Sequence, residues 1–201
     1  LLSSSPGPDG ISQQTLASLD TTGRRHLLHQ LNKIWKSGVS PPSWKSAIIV
    51  PILKPGGDAS QVNAYRPTSF TSVVSKIFER MILRRLTYYL LSGHHLHPHQ
   101  FGFLPNRGAV SIITIIHRQL AIARARRHWA YMLSLDLEGA YDSINQQALL
   151  VKLHQIGVCG RLFEWCTDFI CNNTFRVRWR GVLSSPRPWH HGVPQGSVFG
   201  I

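Results

Sequence analysis

The spacing of apolar residues along the chain predicts several helices. The clearest lies at 71–91, where most of the arginines lie off the apolar stripe. Similar spacing predicts a helical region at 11–37, which Gly23 divides into two helices and Gly38 ends. Further helices are predicted at 109–127, 146–155 and 160–171. The apolar stripe of the helix at 71–91 consists of Ile77, Phe78, Met81, Ile82, Leu86, Tyr89 and Leu90.

Other stretches have the composition or the alternation of strands. Residues 44–53 are apolar and rich in β-branched side chains, and Pro51 indicates that this strand ends near a sheet edge or a bulge. Residues 129–136 are predicted to form a buried strand. Residues 175–180 alternate strictly, and 185–190 would supply their hairpin partner. The chain therefore mixes helices and strands.

The alternating stretch has two explanations. Phe175, Val177 and Trp179 face one way, and three arginines, at 176, 178 and 180, face the other. Such charges are typical of a solvated edge strand, where they discourage aggregation. Three arginines on one face also suit a phosphate backbone. The sequence leaves both explanations open.

The loops carry cations and histidines. Lys54 lies in a Pro/Gly turn, and a loop at 58–67 ends with Arg66, which Pro67 directs towards an extended conformation. Four histidines crowd the segment 92–99. They have neither the i, i+4 spacing of a helical metal site nor a cysteine or carboxylate nearby, so a solvated loop is favoured over a metal site.

The net charge of the chain indicates which class of partner it binds. The 201 residues include 22 lysines and arginines against nine acidic residues, which gives a net charge of +13 and a pI near 10.5. Such an excess favours binding to a polyanion, either nucleic acid or an acidic membrane surface. We see no apolar run of the roughly 18 residues that a membrane span needs, and no secretory signal. Nucleic acid is therefore the favoured partner.

Cysteines add little to this picture. Cys159, Cys166 and Cys171 are odd in number and form no C-x-x-C pair, so we expect no disulfide framework. That pattern suits a reducing compartment.

The stretch 131–142 contains the strongest candidate for chemistry. Its predicted strand ends in a carboxylate, Asp136, and Tyr141 and Asp142 follow closely. A packed strand can hold a reactive side chain at its end. By itself the stretch is better explained as an ordinary strand that ends in an aspartate turn.

A series of motifs in a fixed order changes that balance. Together they resemble the reverse transcriptase domain of non-LTR retrotransposons, and the resemblance covers nearly the whole chain. Leu104, Thr68 and the pair Glu138 and Gly139 depart from the usual pattern. The motifs are 5–11, Pro42-Ser-Trp-Lys45, 49–54, Tyr65-Arg-Pro-Thr-Ser-Phe70, Lys76-Ile-Phe-Glu79, Gln100-Phe-Gly-Phe103, 136–142 and Gly192-Val-Pro-Gln-Gly-Ser197.

The resemblance implies an α+β fold of the right-hand polymerase type. Residues of about 1–130 would be mainly fingers, and about 131–201 would begin the palm. We expect the chain to be truncated before the Asp-Asp hairpin and the thumb. Because that hairpin supplies another metal carboxylate, we expect the 201 residues alone to be inactive.

The resemblance also assigns the metal and sugar contacts. Asp136 would be the catalytic metal-binding carboxylate, and the backbone carbonyl of Leu137 would be a second ligand of the same ion, Mg²⁺ or Mn²⁺. Tyr141 resembles the aromatic residue that stacks under the sugar and excludes a 2′-hydroxyl. Asp142 would form a turn or a hydrogen bond.

The remaining assignments concern the nucleotide and the nucleic acid. Lys54 and Arg66 resemble the cations that hold the triphosphate, and Gln195 would contact the template–nucleotide pair. The predicted contacts with template and primer are Phe101, Phe103, Arg107, Gly192 and Gly196.

The predicted reaction is the RNA-directed addition of a deoxynucleotide to a primer 3′-hydroxyl. Its partners would be an RNA template, a DNA primer and dNTPs, with no membrane and no protein partner that the sequence indicates. The expected location is intracellular, in cytoplasm and nucleus. A non-catalytic nucleic-acid-binding relic, a domesticated domain and a group II intron-type maturase remain alternatives.

Overall fold

A computed structural model describes residues 6–137 and 139–198. Ser5 and Glu138, which belong to motifs named above, lie outside the described residues. In the described part of the chain, helices and strands are mixed. The helices are α1 (Gln13–Ala17), α2 (Thr21–Ser37), α3 (Val73–Ser92), α4 (Ala109–Ala125), α5 (Gln146–Gln155) and α6 (Gly160–Ile170), and the strands are β1 (Ser46–Leu53), β2 (Tyr65–Phe70), β3 (Thr174–Trp179), β4 (Val182–Leu183) and β5 (Arg187–Pro188).

Most predicted helices are confirmed within two residues, but the predicted break at Gly23 is wrong. Asp20 is the N-cap of α2, and its carboxylate accepts a hydrogen bond of 2.7 Å from the Gly23 amide. A capping carboxylate satisfies an amide that the first turn would leave unpaired. Gly23 therefore lies inside the first turn of α2, and the break falls between Ala17 and Thr21.

The strands form one sheet in the order β2-β1-β3-β4, with β5 also paired to β3. Strand β1 runs antiparallel to β2 and parallel to β3. The pairing of β1 with β3 ends at Ile49, so Pro51 lies beyond it, as its missing amide hydrogen requires. Strand β2 was not predicted, because its proline and polar residues favour a loop.

Strand β3 lies inside the sheet. It pairs with β1 on one side and with β4 and β5 on the other. The explanation as a charge on an edge strand is therefore wrong for Arg176, whereas the register with β1 ends at Val177, before Arg178. The predicted alternation also stops before Arg180, which lies in the turn after β3 with a φ of 48°.

Aromatic side chains of α3 and α6 form the centre of the core. Phe78 packs against Trp165 with ring centroids 5.4 Å apart, and Trp44 also packs against Phe78 at 5.7 Å. Phe78 and Trp165 are each only 1% exposed. These contacts join the segment that leads into β1 to both helices.

An ion pair fixes the end of α6 beside the start of β1. The Lys45 ammonium lies 3.0 Å from a carboxylate oxygen of Asp168 and also donates to the carbonyls of Asp168 and Cys171. The second carboxylate oxygen of Asp168 accepts from the Ser40 amide at 2.8 Å. A cation at a helix C-terminus is favourable. The pair therefore aligns β3, which follows α6, with β1.

The three cysteine thiols are unpaired. Cys159 is exposed, whereas Cys166 is fully buried in the core. Burial raises the pKa of the Cys166 thiol to about 12, so this side chain acts as a packing group and not as a nucleophile.

The chain divides into two compact units. One consists of Leu1–Arg85 and Gly139–Ile201, and the other of Leu86–Glu138. The predicted division into fingers and palm stays a prediction, because contacts alone do not assign those roles. Among the described residues, no helix is long and apolar enough to cross a membrane.

Candidate active site

The hairpin of β1 and β2 places the two predicted phosphate-binding cations at one end. Arg66 lies opposite Ile52 in the register, and Lys54 directly follows β1. Both side chains are exposed. The Lys54 ammonium donates to the Asn63 carbonyl at 2.9 Å, across the loop that joins the strands. The two cations therefore lie at the same end of the hairpin.

The turn at 192–197 rests against β2. The Ser69 amide donates to the Gln195 carbonyl at 2.8 Å. At Gly196, where φ is 116°, a Cβ atom would lie 2.8 Å from the Ser69 carbonyl oxygen. Any other residue there would push the turn away from β2. Gln195 is thus hydrogen-bonded to β2 at Ser69, which lies three residues after Arg66.

A buried glutamate of α3 holds the end of the same turn. Glu79 is 0% exposed, and its Oε2 accepts a 2.7 Å hydrogen bond from the Val198 amide. Its Oε1 accepts from the Ser75 hydroxyl at 2.8 Å. Charge-assisted hydrogen bonds of this kind are strong in a desolvated site. Glu79 therefore positions the turn that carries Gln195.

Glu79 was missed as a site residue, although the motif that contains it was recognised. One signal was present in the sequence: Ser75 lies four residues earlier, on the same helical face.

The neighbouring Lys76 is half-buried. Burial lowers the pKa of its ammonium group, and the negative charge of Glu79 raises it.

Tyr141 is joined to the other side of the turn. It lies in a turn of its own, closed by hydrogen bonds of 2.9 Å from the Asp142 and Ser143 amides to the Gly139 carbonyl. The Val193 amide donates to the Tyr141 carbonyl at 3.0 Å. Tyr141 itself is half-buried. One turn thus connects the predicted sugar contact to the strand that carries Arg66.

The two glycines of this turn lie against protein backbone. A Cβ atom at Gly192, where φ is 76°, would lie 2.5 Å from the Tyr141 carbonyl oxygen. As described above, a Cβ atom at Gly196 would lie 2.8 Å from the Ser69 carbonyl oxygen. The structure therefore explains both glycines by the close approach of the chain to itself. Their contact with nucleic acid stays a prediction.

The predicted buried strand before Asp136 is wrong. Residues 128–137 form no strand, and Leu133 and Leu135 are 82% and 84% exposed. A strand needs the backbone of a neighbour, and no strand among the described residues pairs with this segment. The apolar composition of the segment could not reveal that it lacks a neighbouring strand.

Asp136 presents oxygen atoms to solvent. Its Oδ1 accepts from the Leu137 amide at 2.9 Å, and the side chain is exposed. Asp136 belongs to the unit Leu86–Glu138, whereas Arg66, Tyr141 and Gln195 belong to the other unit and are joined to one another through the turn. The carboxylate of Asp136 and the carbonyl of Leu137 are of the donor type that Mg²⁺ prefers.

No group of three possible metal ligands from histidine, cysteine, aspartate or glutamate is present among residues 6–137 and 139–198. Mg²⁺ is commonly held by one or two carboxylates together with substrate phosphates and waters. Asp136 and Leu137 therefore fit such an ion in donor chemistry, as part of a ligand set.

The loop after α3 is held together by ring contacts and by Arg107. His95 stacks on Tyr89 at 5.2 Å, and His99 lies against His97 and Phe101. One guanidinium nitrogen of Arg107 donates to the carbonyls of Pro98 and Gln100, both at 3.0 Å. Part of the hydrogen-bonding capacity of Arg107 thus supports its own loop.

Phe103 is the more accessible of the two aromatic residues among the predicted template contacts. Its ring is 71% exposed, and its backbone adopts a left-handed conformation with a φ of 60°. An exposed aromatic ring can stack on a base. The contact itself stays a prediction.

Comparisons with known proteins agree with the resemblance that the motifs indicated. A family model described as reverse transcriptase (RNA-dependent DNA polymerase) matches residues 52–200. The chain is 32% identical over 199 residues to the RNA-directed DNA polymerase from mobile element jockey of Drosophila melanogaster, an alignment that covers 99% of this chain and 22% of that protein.

Two further relatives extend the comparison. The chain is 30% identical over 199 residues to the probable RNA-directed DNA polymerase from transposon BS of Drosophila melanogaster, with 99% of this chain and 22% of that protein covered. It is 22% identical over 175 residues to the Pol polyprotein from type-1 retrotransposable element R2 of Popillia japonica, with 87% and 23% covered. The chain therefore spans about a fifth of the length of these relatives.

The hydrogen bond between Glu79 and the Val198 amide gives a prediction about stability. Glu79→Leu keeps the bulk but leaves a buried amide without its acceptor, so the free energy of unfolding should fall by about 2–3 kcal/mol. Glu79→Gln keeps one acceptor oxygen and should cost less. Urea unfolding measures both.

A matched control is Glu164→Leu on α6. Glu164 forms only an exposed pair with Arg161, so its loss should change the free energy of unfolding by at most about 1 kcal/mol. Equal unfolding midpoints for the Glu79→Leu and Glu164→Leu variants would contradict the assigned role of Glu79.

Proposed function

Because the chain belongs to the reverse transcriptase family, we propose that it forms the nucleotide site of an RNA-directed DNA polymerase from a non-LTR retrotransposon. The observation that carries this proposal is the turn at 192–197. Its hydrogen bonds to Tyr141 and to Ser69 join the predicted sugar contact, the predicted base-pair contact and the strand of Arg66 in one compact unit.

The residues of that unit would bind the incoming deoxynucleotide. Lys54 and Arg66, at one end of the β1–β2 hairpin, would hold the triphosphate through charge and the bidentate geometry of the guanidinium group. The ring of Tyr141 would lie under the sugar and leave no room for a 2′-hydroxyl. Gln195 would contact the base pair between the template and the nucleotide.

Asp136 and the Leu137 carbonyl would hold a divalent cation, Mg²⁺ or Mn²⁺. When bound, that ion supplies positive charge to the attacking and leaving oxygens of nucleotide transfer. Asp142 has a different role, because it lies in the turn closed at Gly139 and its backbone supports the position of Tyr141.

The β1–β2 hairpin and the helices before residue 130 would belong to the fingers, and the residues from about 131 onward would begin the palm. The exposed loop at 100–107 would contact the template, with the Phe103 ring on a base and the remaining guanidinium donors of Arg107 on phosphate. The exposure of Phe103 and the positive net charge of the chain support the template contact.

A non-catalytic nucleic-acid-binding relic is the second candidate. It is favoured by the exposed segment around Asp136, which pairs with no described strand, and by the net charge of +13. The two candidates differ in whether nucleotides are joined.

Primer extension separates the two candidates. The assay uses an RNA template, a DNA primer, dNTPs and Mg²⁺, with the 201-residue chain and with a version extended by the coding sequence that follows it. We expect synthesis from the extended version only. Asp136→Asn should lower its rate by about 100-fold or more, because the cation that stabilises transition-state charge loses a carboxylate ligand.

Asp142→Asn is the matched control, since it removes an exposed carboxylate six residues away and should keep most of the activity. Equal rates for the two variants would refute the metal role of Asp136. A folded, extended protein without any synthesis would support the relic.

The sugar role of Tyr141 has its own test in the same assay. Tyr141→Val removes the ring and should raise ribonucleotide incorporation relative to deoxynucleotide incorporation by roughly tenfold or more, as expected when a steric pocket contact is lost. Tyr141→Phe keeps the ring and should keep the selectivity. Unchanged sugar selectivity in the valine variant would refute the assignment.

A further inference from the structure

One face of the sheet carries arginines from two separate strands. Arg176 lies opposite Ile48 in the register of β1 and β3, and Arg66 lies opposite Ile52 in the register of β1 and β2. Paired residues project to the same face of a sheet, and so do residues four apart on one strand. Arg66 and Arg176 therefore share a face.

Arg178 extends this face along β3. It follows Arg176 by two residues, which is one full repeat of the strand, or about 6.7 Å. Arg180 does not belong to the face, because it lies in the turn after β3 and its guanidinium lies 5.9 Å from the Trp179 ring. We name the surface formed by Arg66, Arg176 and Arg178 the arginine face.

No carboxylate among the described residues compensates the charges of the arginine face. All three side chains are exposed. The ion pairs in the described part of the chain are Lys45 with Asp168 and Arg161 with Glu164, so no described carboxylate lies within 4 Å of these guanidinium groups. Protection of a sheet edge does not explain Arg176, since β3 is paired with β1 at this residue.

A row of regularly spaced guanidinium groups matches a chain of phosphates. Each group can bind one phosphate with two parallel hydrogen bonds, and an extended nucleic acid strand offers one charge per nucleotide. An extended peptide matches this spacing only if every second residue is acidic, whereas every nucleotide carries a phosphate. The sign of the net charge, +13, agrees with a polyanionic occupant.

We propose that Arg176 and Arg178 bind successive phosphates of the single-stranded RNA template, on the sheet face that also carries Arg66. The proposal rests on the proposed function in one respect, because it identifies the RNA as the template. It adds a template contact on β3, outside the loop at 100–107 and the turn at 192–197.

The test is equilibrium binding of a fluorescent 15-nucleotide RNA with a 5′-hydroxyl end, measured by anisotropy between 50 and 200 mM salt without dNTP or metal. The probe has no triphosphate, so binding at a nucleotide site cannot imitate the result. Arg176→Gln/Arg178→Gln is compared with Lys33→Gln/Lys36→Gln, which removes two exposed charges from α2 of the same unit.

Loss of two phosphate contacts should lower the slope of log affinity against log salt by about 1.4, because each contact to a single strand contributes about 0.7. The affinity ratio between 50 and 200 mM salt then shrinks about 7-fold. The control variant should keep nearly the full slope. Arg176→Lys/Arg178→Lys, which keeps both charges, should also keep it.

Each single variant, Arg176→Gln or Arg178→Gln, should give half of the effect, which provides an independent measurement if the double variant loses its circular dichroism spectrum. Equal slopes for the double variant and the α2 control would overturn this inference and leave the proposed function standing. A wild-type chain that does not bind the RNA would overturn both.

Discussion

A buried carboxylate fixes the geometry on which the candidate nucleotide site depends. Glu79 lies inside the core on α3 and accepts the amide hydrogen of Val198, 119 residues further along the chain. Separating the turn from α3 would leave a desolvated charge and an unpaired amide, which costs several kcal/mol. Since the same turn is hydrogen-bonded to β2 through Ser69, the positions of Gln195 and Arg66 are linked.

The turn at 192–197 also explains why distant motifs of the sequence act together. On one side, its Gln195 carbonyl accepts a hydrogen bond from the Ser69 amide of β2. On the other side, its Val193 amide donates to the Tyr141 carbonyl. Its two glycines allow these approaches, because a Cβ atom at either position would collide with a carbonyl oxygen. The ion pair between Lys45 and Asp168 performs a similar task for the sheet, since it places β3 beside β1.

Local patterns predicted much of the fold, and long-range contacts account for the errors. The helices α3, α5 and α6 follow from apolar spacing, and β1 from its β-branched residues. Strand β2 was missed because only its pairing with β1 makes a strand of Tyr65-Arg-Pro. The segment before Asp136 was predicted as a strand for the opposite reason: its composition is suitable, but no described strand pairs with it. Motif resemblance predicted site roles for Arg66, Tyr141 and Gln195, whereas the role of Glu79 became apparent from its hydrogen bond to Val198.

Amide hydrogen exchange tests the link between the core and the turn most directly. The amides of Ser69 and Val198 should exchange slowly in the wild-type chain, because both are hydrogen-bonded across the turn. In the Glu79→Leu variant these two amides should exchange much faster, while those of the β1–β2 ladder keep their protection. Rapid exchange of Ser69 and Val198 in the wild-type chain, or unchanged protection in the variant, would contradict the account.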